Sequence, residues 1–177
     1  MSDEKKVNQS TMRLIKGDIT DIDVEAFVFY ARPDLKLGTG FGNAISVRGG
    51  PSIQKELDEL PTPVDVGEAV ISGAGKLKAQ YIIHAVGPAF QEENTEEKLR
   101  KTVASSLKQA EDKGIQQVAV PLMGAGFYGV PMDTSAKITL GTIRDHLANN
   151  TKLKEVVVVA LDNRELKPFK TQFEAIA

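Results

Sequence analysis

Apolar and polar positions along the chain switch repeatedly between two periods. Dense apolar runs of strand length occupy Val24 to Tyr30, Gln80 to Val86, Gln117 to Leu122 and Glu155 to Leu161. The last carries four consecutive valines, as expected of a strand covered on both faces. Weaker runs at Met12 to Lys16 and Glu68 to Ser72 predict two more strands, the first a candidate edge strand. Helical stripes lie between them. Leu99, Val103, Leu107 and Ala110 align over Thr95 to Lys113, with Glu96 and Glu97 in the first turn and Gly114 as the stop. Ala136, Leu140, Ile143 and Leu147 align over Asp133 to Ala148. Glu165 to Ile176 predicts a last helix, with Pro168 in its first turn. Asn43 to Arg48 begins a helix that Gly49-Gly50 interrupts, and Pro51 suits the start of another reaching about Leu60. Met1 to Thr11 shows no period and is expected to be a disordered leader before one domain spanning residues 12–177. Strands alternating with amphipathic helices predict a three-layer α/β/α sandwich on a mixed, mostly parallel sheet. Ligands are then expected at the carboxyl ends of the strands.

Composition narrows the chemistry. Across 177 residues, 22 Lys and Arg stand against 24 Asp and Glu, for a formal net charge of −2. That balance gives no general attraction to nucleic acid or anionic membrane. The chain has no cysteine, which removes disulfides, thiolate metal sites and cysteine nucleophiles. His84 and His146 are far apart in sequence and form no metal spacing, so neither a metal nor a cofactor is expected. His84 sits inside an apolar strand and reads as a buried neutral imidazole, whereas His146 reads as a solvated residue on a helix rim. The apolar runs are too short to cross a bilayer, and the polar start is not a secretory signal. A cytoplasmic location is the expectation.

Two glycine-rich stretches change the picture. Gly38-Thr39-Gly40-Phe41-Gly42 precedes a helix, and Gly124-Ala125-Gly126-Phe127-Tyr128-Gly129 links a strand to one. Glycine permits positive φ and close approach of a ligand to backbone amides. Consecutive amides with a helix N-terminus behind them form an anion site that needs no basic side chain. Each loop alone also suits an ordinary tight turn. Phe127 and Tyr128 favour a ligand, because two large rings at a loop tip are costly to leave uncovered.

With Gly17-Asp18-Ile19-Thr20, Gly67-Glu68-Ala69 and Tyr81 to Pro88 placed in order around these loops, the chain resembles the macro domain, a module that binds ADP-ribose. The resemblance covers roughly Arg13 to Ile176. It implies that Asp18, with the Ile19 backbone beside it, accepts a hydrogen bond from the adenine amine, although an aspartate after glycine also commonly caps a turn. It implies that Gly38, Thr39, Gly40, Phe41 and Gly42 line the pyrophosphate and distal ribose. Gly124, Ala125, Gly126 and Tyr128 belong to the second phosphate loop, with Phe127 packing near the distal ribose. Leu161 and Asn163 are expected at the base or its ribose.

Departures from the family pattern bear on catalysis. Where many members carry Val-Asn-Ala-Ala-Asn, this chain has Val28-Phe29-Tyr30-Ala31-Arg32. Gly42 stands where the hydrolase subgroup tends to have aspartate, and Leu161 where an aromatic often stacks on adenine. Arg32 stays protonated and cannot act as a base. It reads either as an ion-pair partner of Asp34 or another rim carboxylate, or as a contact to a negative group on the ligand. The leading expectation is a binding module for ADP-ribose or a related ADP-ribosyl nucleotide, with an ADP-ribosylated protein as the candidate macromolecular partner. The enzymatic alternative is an ADP-ribosyl hydrolase or O-acetyl-ADP-ribose deacetylase with an altered site, using Arg32 as a clamp and Asn43 to position water. Nucleic acid fits poorly with the charge, and another phosphorylated metabolite remains a further alternative.

Overall fold

The computed structural model describes residues 3–89, 91–124 and 129–176. Seven strands form one sheet: β1 (Asp3–Val7), β2 (Ser10–Lys16), β3 (Ala26–Ala31), β4 (Ala69–Gly73), β5 (Tyr81–Val86), β6 (Gln117–Pro121) and β7 (Glu155–Ala160). Their order is β1-β2-β7-β6-β3-β5-β4. β2, β7, β6, β3 and β5 run parallel, while β1 and β4 pair antiparallel at the two edges. The helices are α1 (Phe41–Gly49), α2 (Ser52–Asp58), α3 (Thr95–Lys113), α4 (Met132–Leu147) and α5 (Asn163–Ala175). No helix among the described residues is long and apolar enough to cross a membrane.

The central strands are buried on both faces, as the valine run requires. Val156 and Val158 face a core completed by α3, α4 and α5, whereas Val157 and Val159 face one completed by α1 and α2. β3 alternates in the same way, sending Val28 to the first core and Phe27 and Phe29 to the second. Three helices therefore cover one face and two the other, which is the expected three-layer sandwich.

Three local expectations need correction. Residues 3–11 are not a disordered leader: β1 pairs with β2 from Asp3↔Leu14 to Val7↔Ser10. The hairpin turns at Asn8, φ 54°, whose side chain donates to the Ala148 carbonyl at 2.8 Å beyond the end of α4. Lys5 Nζ donates to the Ile176 carbonyl at 2.6 Å and lies 5.5 Å from the Phe173 ring centre. As a result β2 is an interior strand and the charged β1 is the edge, where charge discourages further pairing. Pro168 is not in the first turn of α5. Asp162 caps the helix earlier, accepting the Glu165 N–H at 3.0 Å, and Pro168 sits inside it.

Candidate functional site

The parallel strands end on one side of the sheet, and their last residues open into a cleft of about 680 Å³. Gly17 and Ile19 after β2, Tyr30 at the end of β3, Leu122 and Gly124 after β6, and Leu161 after β7 all line it. A strand-end cleft of this size suits a nucleotide-sized ligand. Gly38 and Thr39, with Gly40, Phe41 and Gly42, form its facing wall. Gly38 to Gly42 and Gly124, one stretch from each glycine loop, line the same cleft. Ala125, Gly126, Phe127 and Tyr128 lie outside the described residues.

The wall is shaped by glycine geometry. Gly38 and Gly40 have φ of 68° and 63°, and Gly40 is the N-cap of α1, with no side chain bonded to the first-turn amides. The α1 N-terminus is therefore open toward the cleft-lining loop. Gly42 has no room for a side chain, since a Cβ would lie 1.7 Å from the Leu37 carbonyl oxygen. Gln54 on α2 fastens the loop from behind: its Oε1 accepts the Leu37 N–H at 2.9 Å and its Nε2 donates to the Leu35 carbonyl at 3.1 Å. Sequence reading missed Gln54. A glutamine in the middle of an amphipathic helix carries no local signal of a loop contact.

Arg32 lines the cleft and pairs with Asp34 at 2.7 Å, the simpler of its two expected arrangements. Asp34 is itself fixed by accepting the Lys36 N–H at 2.9 Å. Phe29 and Phe41 stack with ring centres 5.6 Å apart and planes 14° from parallel. Both line the cleft. Phe29 is a lining residue that the motif comparison alone did not assign.

The other anticipated contacts are less direct. Asp18 is not among the described cleft-lining residues, although both its neighbours are. Its carboxylate caps the 3₁₀ turn Ile19–Asp21, accepting the Thr20 N–H at 2.9 Å and the Thr20 hydroxyl at 2.6 Å, and it pairs with Arg48 at the end of α1. Burial alone would raise its pKa, but the Thr20 hydroxyl, Arg48 and the Thr20 amide together hold it below the ordinary value. Leu161 reaches the cleft and is exposed there. Asn163 starts α5 and accepts from Lys16 Nζ at 3.1 Å, outside the cleft lining. Asn43 is exposed in the first turn of α1 and also does not line the cleft. Glu165 was missed. It lines the cleft and accepts the N–H of Leu161, the residue before the Asp162 N-cap, at 2.9 Å.

His84 is fully buried, with Nε2 at 2.8 Å from the Ser72 hydroxyl and no partner for Nδ1 among the described residues. Its ring meets Phe29 edge-on at 6.0 Å. Burial pushes its pKa down to about 3, so the imidazole is neutral, as expected. His146 is not simply solvated; it contacts Glu111 at 3.0 Å.

The macro domain family model matches residues 31–139. The chain belongs to the macro domain family. A macro domain-containing protein of Caldanaerobacter subterraneus subsp. tengcongensis is 36% identical over 170 residues, covering 93% of this chain and 97% of that protein. Among solved structures, a mutant Oceanobacillus iheyensis macrodomain with ADPR superposes with a TM-score of 0.94 at 27% identity, over 99% of this chain and 98% of that one. The Trypanosoma brucei macrodomain in complex with ADP-ribose gives a TM-score of 0.84 at 26% identity, covering 90% and 68%.

Proposed function

We propose that this macro domain binds ADP-ribose, or a closely related ADP-ribosyl nucleotide, in the strand-end cleft, free or carried on a modified protein. The observation that supports this reading most is the Gly38 to Gly42 wall, which brings the uncapped N-terminus of α1 to the cleft that Gly124 also lines. Backbone amides and the helix dipole there favour a diphosphate without a basic side chain. The adenine falls between Ile19 and Leu161, with the ionised Asp18 at the neighbouring turn available to its amine.

Binding without turnover is the form of the reading that the side chains favour. Among the described residues, Glu165 supplies the only carboxylate lining the cleft, and it already holds the Leu161 N–H. A hydrolytic base needs to reach the attacking water. Calorimetric titration tests the reading: ADP-ribose and ADP are expected to bind at least tenfold more tightly than AMP, and O-acetyl-ADP-ribose to remain intact under the same conditions. Equal, weak binding of all three nucleotides would remove the diphosphate site, and product formation would replace the binding module with an enzyme.

A further inference from the structure

We infer that the distal end of the cleft is built to hold an aromatic ring, so that the ligand class includes ADP-ribosyl dinucleotides with a planar heterocycle on the second ribose. The inference rests on the ADP-ribosyl reading above for the anchoring of the rest of the ligand.

Three rings are ordered from the core outward. His84 is buried and meets Phe29 edge-on at 6.0 Å and 84°. Phe29 is 8% exposed and stacks on Phe41 at 5.6 Å, and Phe41 is 36% exposed at the cleft. The series therefore ends on a ring with apolar surface facing open space. Phe41 helps cover Phe29 with one face, and its other surface lines the cleft. A large ring left uncovered at the lip of a cleft is accounted for when a second planar group covers it.

The polar groups at this end point the same way. The Tyr30 hydroxyl donates to the Pro88 carbonyl at 2.6 Å, and Arg32 and Thr39, between β3 and α1, are the other described polar lining side chains on this side of the cleft. Arg32 only donates, and its carboxylate partner Asp34 is already shared with the Lys36 N–H. The Thr39 hydroxyl both donates and accepts, which suits the ribose that carries the ring. A guanidinium also stacks on planar rings and donates to a carboxamide oxygen. Its charge favours a neutral ring over a cationic one. A reduced nicotinamide dinucleotide combines these properties and serves as the probe.

The test is titration of the full chain with ADP, ADP-ribose, NADH and NAD⁺, for the wild type and for Phe41→Val and Arg32→Gln. NADH is expected to bind roughly three- to tenfold more tightly than ADP-ribose, the worth of one added ring pair. The NADH to ADP-ribose ratio, rather than either affinity, is read in Phe41→Val, where it should fall to about one; Arg32→Gln should narrow the gap between NADH and NAD⁺. If ADP binds but NADH gains nothing over ADP-ribose, or keeps its advantage in Phe41→Val, the ring subsite is overturned and the diphosphate site stands. Failure of ADP and ADP-ribose to bind overturns both.

Discussion

A Cβ added to Gly42 would meet the carbonyl oxygen of Leu37 at 1.7 Å and its carbonyl carbon at 2.5 Å. Both are backbone atoms, and the Leu37 amide is held in place by Gln54, so no flexible side chain can move aside. Gly42→Ala should therefore cost at least about 2 kcal/mol, as overpacking against fixed atoms does. Gly17 provides the control within the same cleft: a Cβ there meets nothing within 4 Å, and Gly17→Ala should stay within about 0.5 kcal/mol of wild type. Urea midpoints read both changes. Equal midpoints for the two variants would mean that the loop yields. The consequence reaches chemistry, because Gly42 stands where the hydrolase subgroup tends to place aspartate. Any larger residue at position 42 must first open the wall of the cleft, so installing the carboxylate there should cost stability before it can add a base.

At the scale of elements, the β1–β2 hairpin depends on contacts remote in sequence. Lys5 donates to the carbonyls of Glu174 and Ile176 at the end of α5 and lies over Phe173. Lys5→Ala removes the cation from a helix C-terminus and from a ring face together, which should cost about 1 kcal/mol. The loss should be local, appearing as faster hydrogen exchange in β1 while the amides of β6 and β7 keep their protection. Uniform exchange across the sheet would instead tie β1 to the global unfolding unit. The same contacts explain why β1 was illegible in the sequence. Asp3 to Val7 has no apolar alternation, and the carbonyls that Lys5 reaches lie 169 and 171 residues away. By contrast, α3 was legible to its ends, because its stripe, its first-turn acids and Gly114 are all local signals. The site divides along the same line. Its glycine loops could be read from composition and order, but the stacking of Phe29 on Phe41 could not, because it needs the start of α1 to fold against the end of β3. Pro168 misled for a related reason: the Asp162 cap set the start of α5, and the proline was carried inside it.

Over the whole molecule, the protonation of buried groups sets how the fold responds to acid. Ser72 Oγ lies 2.9 Å from the Gly73 carbonyl, to which it donates, so it can accept from His84 Nε2 and leave Nδ1 as a bare acceptor. Adding a proton would place a charged N–H at Nδ1 among apolar side chains with nothing described to receive it. The folded-state pKa is accordingly about 3, against 6.5 for the free side chain. Between these values the unfolded chain binds the proton and the folded chain does not. Stability is then full above about pH 6.5 and falls as the pH drops, by about 2 to 3 kcal/mol by pH 4.5. Glu111 adds a second, lower stage at the opposite end of the sheet from the cleft. Burial would raise its pKa, but the Thr151 hydroxyl, the Lys152 amide and His146 hold it below 4.5. Its contribution is present above the unfolded value and is lost as the pH falls through the lowered one. Unfolding free energies measured in urea from pH 7.5 to pH 3.5 should show a decline beginning near pH 6.5 and steepening below pH 4.5. His84→Gln, whatever its own stability at neutral pH, should be flat above pH 4.5 and keep the lower stage. A decline near pH 6 that survives in His84→Gln would place the responsible proton on another group and release His84 from this role.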